Sequence, residues 1–276
     1  MKYKIEKTTV QETLIIPLYA RKVCSELYPN LYRDETAVRL IDEIDSDFSE
    51  AEKNSRGLMQ RFGSLEVAMR QNDLAFEVRD YLKSHPNAAV VNLGCGLDST
   101  GRSCDNGSCK IYNLDFPDVI AVRNELLPAG EREKNIPCDL NDTAWFSQID
   151  ASSGAVFFAS GVFYYFLTEQ VKALVQAMAD AFPGSVLVFD AANRTAVKMI
   201  AKTWLKSAKI QDVGAYFAVS DAPQEISAWD SRLQVTSRGY MLGYNDLKDP
   251  SVSGFFRFLA RVGDGMKKKQ NVKIEF

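Results

Sequence analysis

The sequence contains a single histidine, His85, and has no cysteine pattern typical of a metal site or a disulfide framework. Its five cysteines are odd in number and spread along the chain, which indicates free thiols in a reducing compartment. Cys104 and Cys109 lie close together in sequence, but no second pair has the spacing of zinc ligands. We therefore expect neither a metal site nor disulfide bonds.

The sequence also lacks a basic surplus and a long apolar run. Lysine and arginine number 33 against 36 acidic residues, giving a net charge of −3, so nucleic acid is not the expected partner. The longest apolar run, residues 155–167, is interrupted by Ser160 and Gly161 and is too short to span a bilayer. The polar N-terminus has no apolar segment typical of a signal peptide. These features predict a cytoplasmic protein that uses neither a membrane nor nucleic acid.

Hydrophobic periodicity divides the chain into a helical first part and an alternating second part. Apolar strands separated by helices indicate a mostly parallel sheet that is covered on both faces. We predict one domain over residues 1–276, with a helical cap (1–85) on an α/β core (86–276). The helical segments expected in the cap are 13–27, a helix capped by Asp34, and 55–82. The core is expected to contain strands at 89–93, 110–115, 134–138, 155–159, 185–190, 233–242 and 271–276, and helices at 117–126, 168–181, 194–207, 224–229 and 255–262.

The stretch from residue 89 to 115 is typical of a nucleotide-binding unit. A buried strand runs into the glycine turn Gly94-Cys95-Gly96, and the next strand ends in Asp115. An acid at that place accepts hydrogen bonds from both ribose hydroxyls in many such units. The pattern thus predicts a ligand that carries a ribose.

Two residues after the glycine turn argue against a dinucleotide. The dinucleotide fingerprint requires a third glycine where this chain has Ser99. Asp98, beside the turn, would repel a pyrophosphate. A cationic or zwitterionic ligand is favoured, with an NAD(P)-dependent oxidoreductase as the alternative.

Two further strand ends carry candidate ligand-binding residues. Asp139 and Leu140 follow the third strand, where the acid can accept from an adenine amino group and the leucine can flank the ring. The alternative for Asp139 is the N-cap of the following helix. Tyr164 and Tyr165 follow the fourth strand, at the edge where open α/β sheets bind ligands, and could instead belong to the core.

Four motifs together resemble the leucine carboxyl methyltransferase family. They are VVNLGCGLD, YNLDFPDVI, CDLND and FFASGVFYYF, and the similarity runs from about Thr13 to at least Trp229. The resemblance implies a Rossmann-like class I methyltransferase fold with a mostly parallel seven-stranded sheet, helices on both faces and an N-terminal helical lid. It also implies S-adenosylmethionine-dependent O-methyl transfer. The members of this family include bacterial polyketide-tailoring enzymes of the tetracenomycin type.

The resemblance also implies a role for individual residues. Arg70 would grip the methionine carboxylate of the cofactor with its forked guanidinium, and Tyr165 would face the reaction centre as the catalytic residue. The lid motif PLYAR makes Tyr19 and Arg21, together with Tyr164, candidate substrate-binding residues. The other residues expected at the cofactor are Gly94, Cys95, Gly96, Asp98, Asp115, Phe116, Asp139, Leu140, Ser160 and Gly161.

The chain departs from the family pattern at two positions. Ser160 stands where most relatives carry a glutamate, and Arg102 is slightly out of register with an arginine that relatives carry after the glycine turn. The serine can accept a hydrogen bond but brings no charge. It supports a further hypothesis, a catalytically weak relative that binds the cofactor.

No general base is apparent in the sequence. His85 precedes the first strand and so lies at the edge opposite the ligand-binding edge. A carboxylate acceptor is already ionised at neutral pH and needs no base, whereas an alcohol would gain from one. The leading hypothesis is therefore an O-methyltransferase acting on a carboxylate or hydroxyl of a small molecule, polyketide-like or another acid. Tyr164, Tyr165 and Asp190 are the alternative bases.

Overall fold

Alternating side chains on the central strands face two different helical layers. On β3 (Ala89–Leu93), Ala89, Val91 and Leu93 belong to the core cluster beneath α6 (Thr168–Ala181), while Val90 packs with residues of α3 (Leu58–Ser84). Successive side chains of a strand point to opposite faces of the sheet, so a strand that is covered on both faces has apolar residues at nearly every position. The computed structural model describes residues 3–4, 11–46, 48, 52, 57–200, 216–266 and 268–276.

A seven-stranded sheet forms the centre of the fold. Besides β3 it contains β4 (Lys110–Asp115), β5 (Glu133–Pro137), β6 (Ala155–Ala159), β7 (Val186–Ala191), β8 (Gln234–Gly239) and β9 (Gln270–Glu275). The strand order is β5-β4-β3-β6-β7-β9-β8. The first five strands in this order are parallel, whereas β9 is antiparallel to both β7 and β8. The sequence prediction of a mostly parallel seven-stranded sheet with helices on both faces is confirmed.

The helices of the core lie close to their predicted positions. The predicted helix at 194–207 is observed as far as residue 200, and residues 201–207 lie outside the described part of the chain. None of the described helices is long and apolar enough to cross a membrane. The helices are α4 (Thr100–Ser103), α5 (Pro117–Leu126), α7 (Arg194–Ile200), α8 (Ala222–Ser227) and α9 (Gly254–Met266), together with α6.

The N-terminal segment packs two helices, α1 (Gln11–Leu27) and α2 (Glu35–Glu43), against α5. Asp34 caps α2 as predicted, because its carboxylate accepts a hydrogen bond from the Ala37 backbone N–H at 2.8 Å. A short parallel pair, β1 (Tyr3–Lys4) with β2 (Ile44–Asp45), was not predicted. Two-residue strands are too short for sequence alternation to reveal.

The alternative role of Asp139 as an N-cap is wrong. The helix that follows is a 3₁₀ helix at Thr143–Gln148, and its N-cap is Asp142, which accepts from the Ala144 N–H at 2.9 Å. Asp139 instead accepts two hydrogen bonds from Asn141. The cap lies three residues later because residues 139–141 form a turn of their own after β5.

Asp73 makes stability depend on pH. It lies buried on α3, where Asn271 Nδ2 donates to its carboxylate at 3.0 Å. Burial raises the pKa of Asp73 to about 8; the Asn271 hydrogen bond opposes this shift, and Asp264 and Glu77 add to it. Since this pKa lies above the unfolded value of about 3.9, the folded state retains a proton that the unfolded chain releases. The stability that this retained proton contributes is fully present below about pH 4 and is lost as the pH rises toward 8.

We expect Asp73→Asn to remove this loss. Between pH 5.5 and 8.5 the wild-type free energy of unfolding should fall by about 3 kcal/mol more than that of the variant. Urea unfolding at the two pH values measures the difference, with the exposed Asp80→Asn on the same helix as control. Parallel pH dependences of wild type and Asp73→Asn would contradict the expectation.

Candidate active site

A cavity of about 270 Å³ opens at the carboxyl ends of β3, β4, β5 and β6. Its wall is formed by the turns that follow these four strands and by side chains of α1 and α3. The volume is near the lower end of the range for small-molecule sites. The carboxyl edge of parallel strands is also where open α/β sheets bind their ligands.

The glycine turn forms the floor of the cavity. Gly94 and Gly96 have φ angles of +64° and +45°, in the left-handed region that glycine adopts without strain. A Cβ on Gly94 would lie 2.6 Å from Cγ2 of Val162, so the turn after β3 packs directly on the turn after β6. Gly94, Cys95 and Gly96 all line the cavity, and the two glycines have no side chain that would keep a ligand away from the backbone.

Asp98 lies in the cavity wall, but its carboxylate is already engaged within the turn. Asn92 Nδ2 donates to one oxygen at 3.1 Å, and the backbone N–H and hydroxyl of Thr100 each donate to the other at 2.8 Å. Arg123 donates to the main-chain carbonyls of Gly96 and Asp98. The structure thus places Asp98 where it shapes the turn.

Asp115 ends β4 beside this turn. One carboxylate oxygen accepts from the Gly96 N–H and the other from the Phe116 N–H, both at 2.8 Å. Burial raises the pKa of Asp115, although these two N–H groups act to lower it. Each oxygen has a further lone pair, so the carboxylate can accept hydrogen bonds from a ligand as well.

The next part of the wall is apolar. Leu140 and Cys138 line the cavity, and the ring of Phe116 lies at its edge with 43% of its surface exposed. Asp139 is exposed and is not among the lining residues, because its side chain folds back onto Asn141. The structure therefore brings Leu140 to the cavity and places Asp139 outside its lining, so a contact between this acid and the ligand stays a prediction.

Arg70 lines the part of the cavity that is formed by the turn after β6. Its Nη1 donates to Asp190 at 3.2 Å, and its Nε is buried without a hydrogen-bond partner. Gly161 and Ser160 also line this part, where the Ser160 hydroxyl donates to Oε1 of Gln71 at 2.8 Å. Sequence reasoning missed Gln71, a polar side chain buried on the helix position next to Arg70.

The candidate substrate residues occupy different environments. Tyr165 lines the cavity and is 42% exposed. Arg21 also lines it, but its guanidinium is bound to Asp34 at 2.9 Å and to the Leu97 carbonyl at 2.9 Å. Arg21 therefore joins α1 to the glycine turn.

Two predicted substrate residues do not line this cavity. Tyr19 lies on another face of α1, where its ring stacks on Phe48 at 5.5 Å. Tyr164 is buried behind the wall, close to Asp190. Adjacent residues in a 3₁₀ turn point in different directions, so only Tyr165 of the pair reaches the cavity.

His85 and Arg102 both lie away from the cavity. The His85 ring stacks on Tyr81 at 4.3 Å, at the end of α3 that precedes β3. Since this is the only histidine in the chain, no histidine lines the site. Arg102 pairs with Glu133, its Nε lying 2.7 Å from the carboxylate.

The residues around the cavity fit S-adenosylmethionine. A glycine turn permits close approach of the ligand, an acid is available for ribose hydroxyls, and an apolar slot can hold a flat base. Arg70 offers a buried donor without a partner. This donor set matches a nucleoside that carries an amino-acid group.

Comparison with known proteins identifies the family. The sequence profile described as "Leucine carboxyl methyltransferase" matches residues 16–179. The tetracenomycin polyketide synthesis O-methyltransferase TcmP of Streptomyces glaucescens is 27% identical over 188 residues, which cover 68% of this chain and 67% of that protein. The S-adenosyl-L-methionine-dependent methyltransferase dpfgK of Gibberella zeae is 23% identical over 278 residues, covering 95% and 92%.

A solved structure supports the fold independently. A protein from Thermobifida fusca assigned as a methyltransferase superposes with a TM-score of 0.56 at 18% identity, over 92% of this chain and 93% of that one. The oxidoreductase alternative does not agree with these relatives. The chain belongs to the leucine carboxyl methyltransferase family and is an S-adenosylmethionine-dependent methyltransferase.

Proposed function

We propose that this methyltransferase acts on an oxygen atom of a small molecule, a carboxylate or an acidic hydroxyl. The observation that carries the proposal is that the cavity contains no histidine, since His85 lies elsewhere. The sulfonium supplies a methyl group that is already electrophilic, so the protein mainly aligns the acceptor and excludes water. An ionised acceptor suits a site without an obvious base.

The positions of three residues support the proposed cofactor-binding roles. Asp115 would accept hydrogen bonds from the ribose hydroxyls, in addition to those from Gly96 and Phe116. Leu140 would pack against the adenine. Arg70 would bind the carboxylate of the methionine moiety with the guanidinium nitrogens that Asp190 does not occupy.

The remaining wall suits an apolar acceptor. Leu14 and Pro17 of α1 face the cavity together with Val162, Tyr165 and Phe166. The two arginines that line it are already paired with aspartates. Apolar contacts would therefore hold the body of the acceptor, which supports a polyketide-like or other largely apolar acid. The name of the relative TcmP agrees with such an acceptor.

The position of α1 supports a lid role for the N-terminal helices. Leu14 and Pro17 of this helix line the cavity, so a shift of α1 would widen the path by which an acceptor enters or leaves. We propose that residues 1–85 close over the bound ligands, in one domain with the core. Hydrogen exchange of α1 that slows when S-adenosylmethionine and acceptor bind would support this role.

The function is tested with methyl-labelled S-adenosylmethionine and three classes of acceptor: apolar carboxylic acids, phenols and amines. We expect labelled product from acids or phenols. Alkaline hydrolysis then separates the two, because a methyl ester releases labelled methanol and a methyl ether does not. Transfer to amines alone would contradict O-methylation. Tight cofactor binding without transfer to any class would favour the weak cofactor-binding relative.

Tyr165→Phe tests the proposed catalytic role of this tyrosine. Burial raises the pKa of the Tyr165 phenol, so the phenol is protonated at neutral pH and would act by donating a hydrogen bond. We expect the variant to lower kcat about tenfold with a pH profile that keeps the wild-type shape. The affinity for S-adenosylmethionine should stay within about twofold, as measured by calorimetry. A kcat equal to wild type would remove Tyr165 from the mechanism.

A further inference from the structure

We propose that Asp190 is a positioning residue for the cofactor, which holds Arg70 and the turn at Gly161 in the arrangement that binds the methionine carboxylate. The inference rests on the proposed role of Arg70. Asp190 lies near the end of β7 and its side chain is 1% exposed. It does not line the cavity, so it acts through its neighbours.

Asp190 joins two elements that approach the cavity from different sides. One carboxylate oxygen accepts from Arg70 Nη1 of α3 at 3.2 Å. The other accepts from the Gly161 backbone N–H, in the turn after β6, at 2.6 Å. A single side chain thereby fixes the distance between the arginine and this turn.

The backbone of Gly161 sets the orientation of the guanidinium. Gly161 has a φ angle of +72°, and a Cβ there would lie 2.7 Å from Arg70 Nη1 and 3.2 Å from Nη2. The guanidinium therefore packs on bare backbone. With Nη1 committed to Asp190 and Nε buried without a partner, the unoccupied donors of Arg70 are left for a ligand.

The groups around Arg70 favour an ionised guanidinium in this buried place. Burial acts to lower the pKa of Arg70, but Tyr240, Asp190 and Tyr164 raise it above the ordinary value. The Tyr164 hydroxyl lies near Asp190, and burial raises its pKa well above the usual range, so it stays protonated. Asp190 is the carboxylate that compensates the arginine, and its loss would leave a buried cation unpaired.

This arrangement disfavours Asp190 as a general base. Its carboxylate accepts from Arg70 and from Gly161, and both of these residues line the cavity whereas Asp190 does not. A base must reach the acceptor directly or through one water. Positioning is the role that this geometry allows.

A double-mutant cycle on cofactor affinity tests the inference. We expect Asp190→Asn to weaken S-adenosylmethionine binding about tenfold and Arg70→Met about thirtyfold, with the double variant within about twofold of Arg70→Met alone. Calorimetry gives the dissociation constants, and circular dichroism confirms that each variant is folded. Glu133→Gln is the matched control, because it removes the partner of Arg102, an arginine that lies away from the cavity. This variant should bind S-adenosylmethionine as wild type does.

The outcomes separate this inference from the function on which it rests. Normal binding by Arg70→Met would remove the proposed role of Arg70. Weak binding by Arg70→Met with normal binding by Asp190→Asn, or effects that multiply in the double variant, would overturn the positioning role. If Asp190→Asn does not fold, Asp190→Glu replaces it in the cycle. It displaces the carboxylate by one methylene, and we expect a severalfold loss of affinity that disappears in the Arg70→Met background.

Discussion

Asp115→Ala is expected to lower the affinity for S-adenosylmethionine by about 100-fold, the largest effect of any single side chain in the proposed cofactor site. The carboxylate is proposed to accept two charge-assisted hydrogen bonds from ribose. It also accepts the N–H groups of Gly96 and Phe116, both at 2.8 Å. Its removal would therefore cost direct contacts and also loosen the glycine turn that carries the methionine end.

Two variants distinguish these contributions. Asp115→Asn keeps an oxygen that can accept the Gly96 N–H but lacks the charge, so we expect an intermediate loss of about tenfold. Asp118→Ala removes an exposed acid three residues further on, which does not line the cavity, and should bind as wild type. Calorimetric titration with S-adenosylmethionine measures all three. A loss below about threefold for Asp115→Ala would contradict its proposed ribose contact.

The strand ends and the glycine turn could be predicted because their signals are local. β3 and β4 are short apolar runs, each ended by a turn or an acid, and the sequence places both without shift. Parallel strands bring such ends to one edge of the sheet, so Gly94, Gly96 and Asp115 had to meet. The Asp34 cap was predictable for the same reason, since its partner lies three residues away.

The features that the sequence does not indicate depend on contacts between distant residues or on the direction of one side chain. Arg70 and Asp190 are 120 residues apart, so no local pattern links them. Tyr19 and Arg21 share the motif PLYAR, but successive positions on a helix face different ways, and only Arg21 reaches the cavity. Asp139 has the right place in the sequence, but its side chain turns back to Asn141.

Gly94→Ala is expected to be the most damaging single-methyl addition in the glycine turn. The φ angle of +64° strains any residue with a Cβ, and the new methyl would lie 2.6 Å from Cγ2 and 2.9 Å from Cγ1 of Val162. We expect the free energy of unfolding to fall by about 3 kcal/mol, of which the left-handed conformation accounts for about 1–2 kcal/mol. Affinity for S-adenosylmethionine should fall more than about tenfold, because the turn must move to relieve the contact.

The two causes can be separated within this chain. Gly184 has a similar φ angle of +79°, but a Cβ there would contact no atom within 4 Å. Gly184→Ala therefore carries the conformational strain alone. Its stability should fall by only about 1–2 kcal/mol, with cofactor affinity unchanged. Val162→Ala removes both clashing methyl groups, so adding it to Gly94→Ala should recover part of the lost affinity. Equal destabilisation by Gly94→Ala and Gly184→Ala, with no affinity recovered by Val162→Ala, would contradict this prediction. The close packing of the Gly94 turn on the Val162 turn would then not be what positions the cofactor.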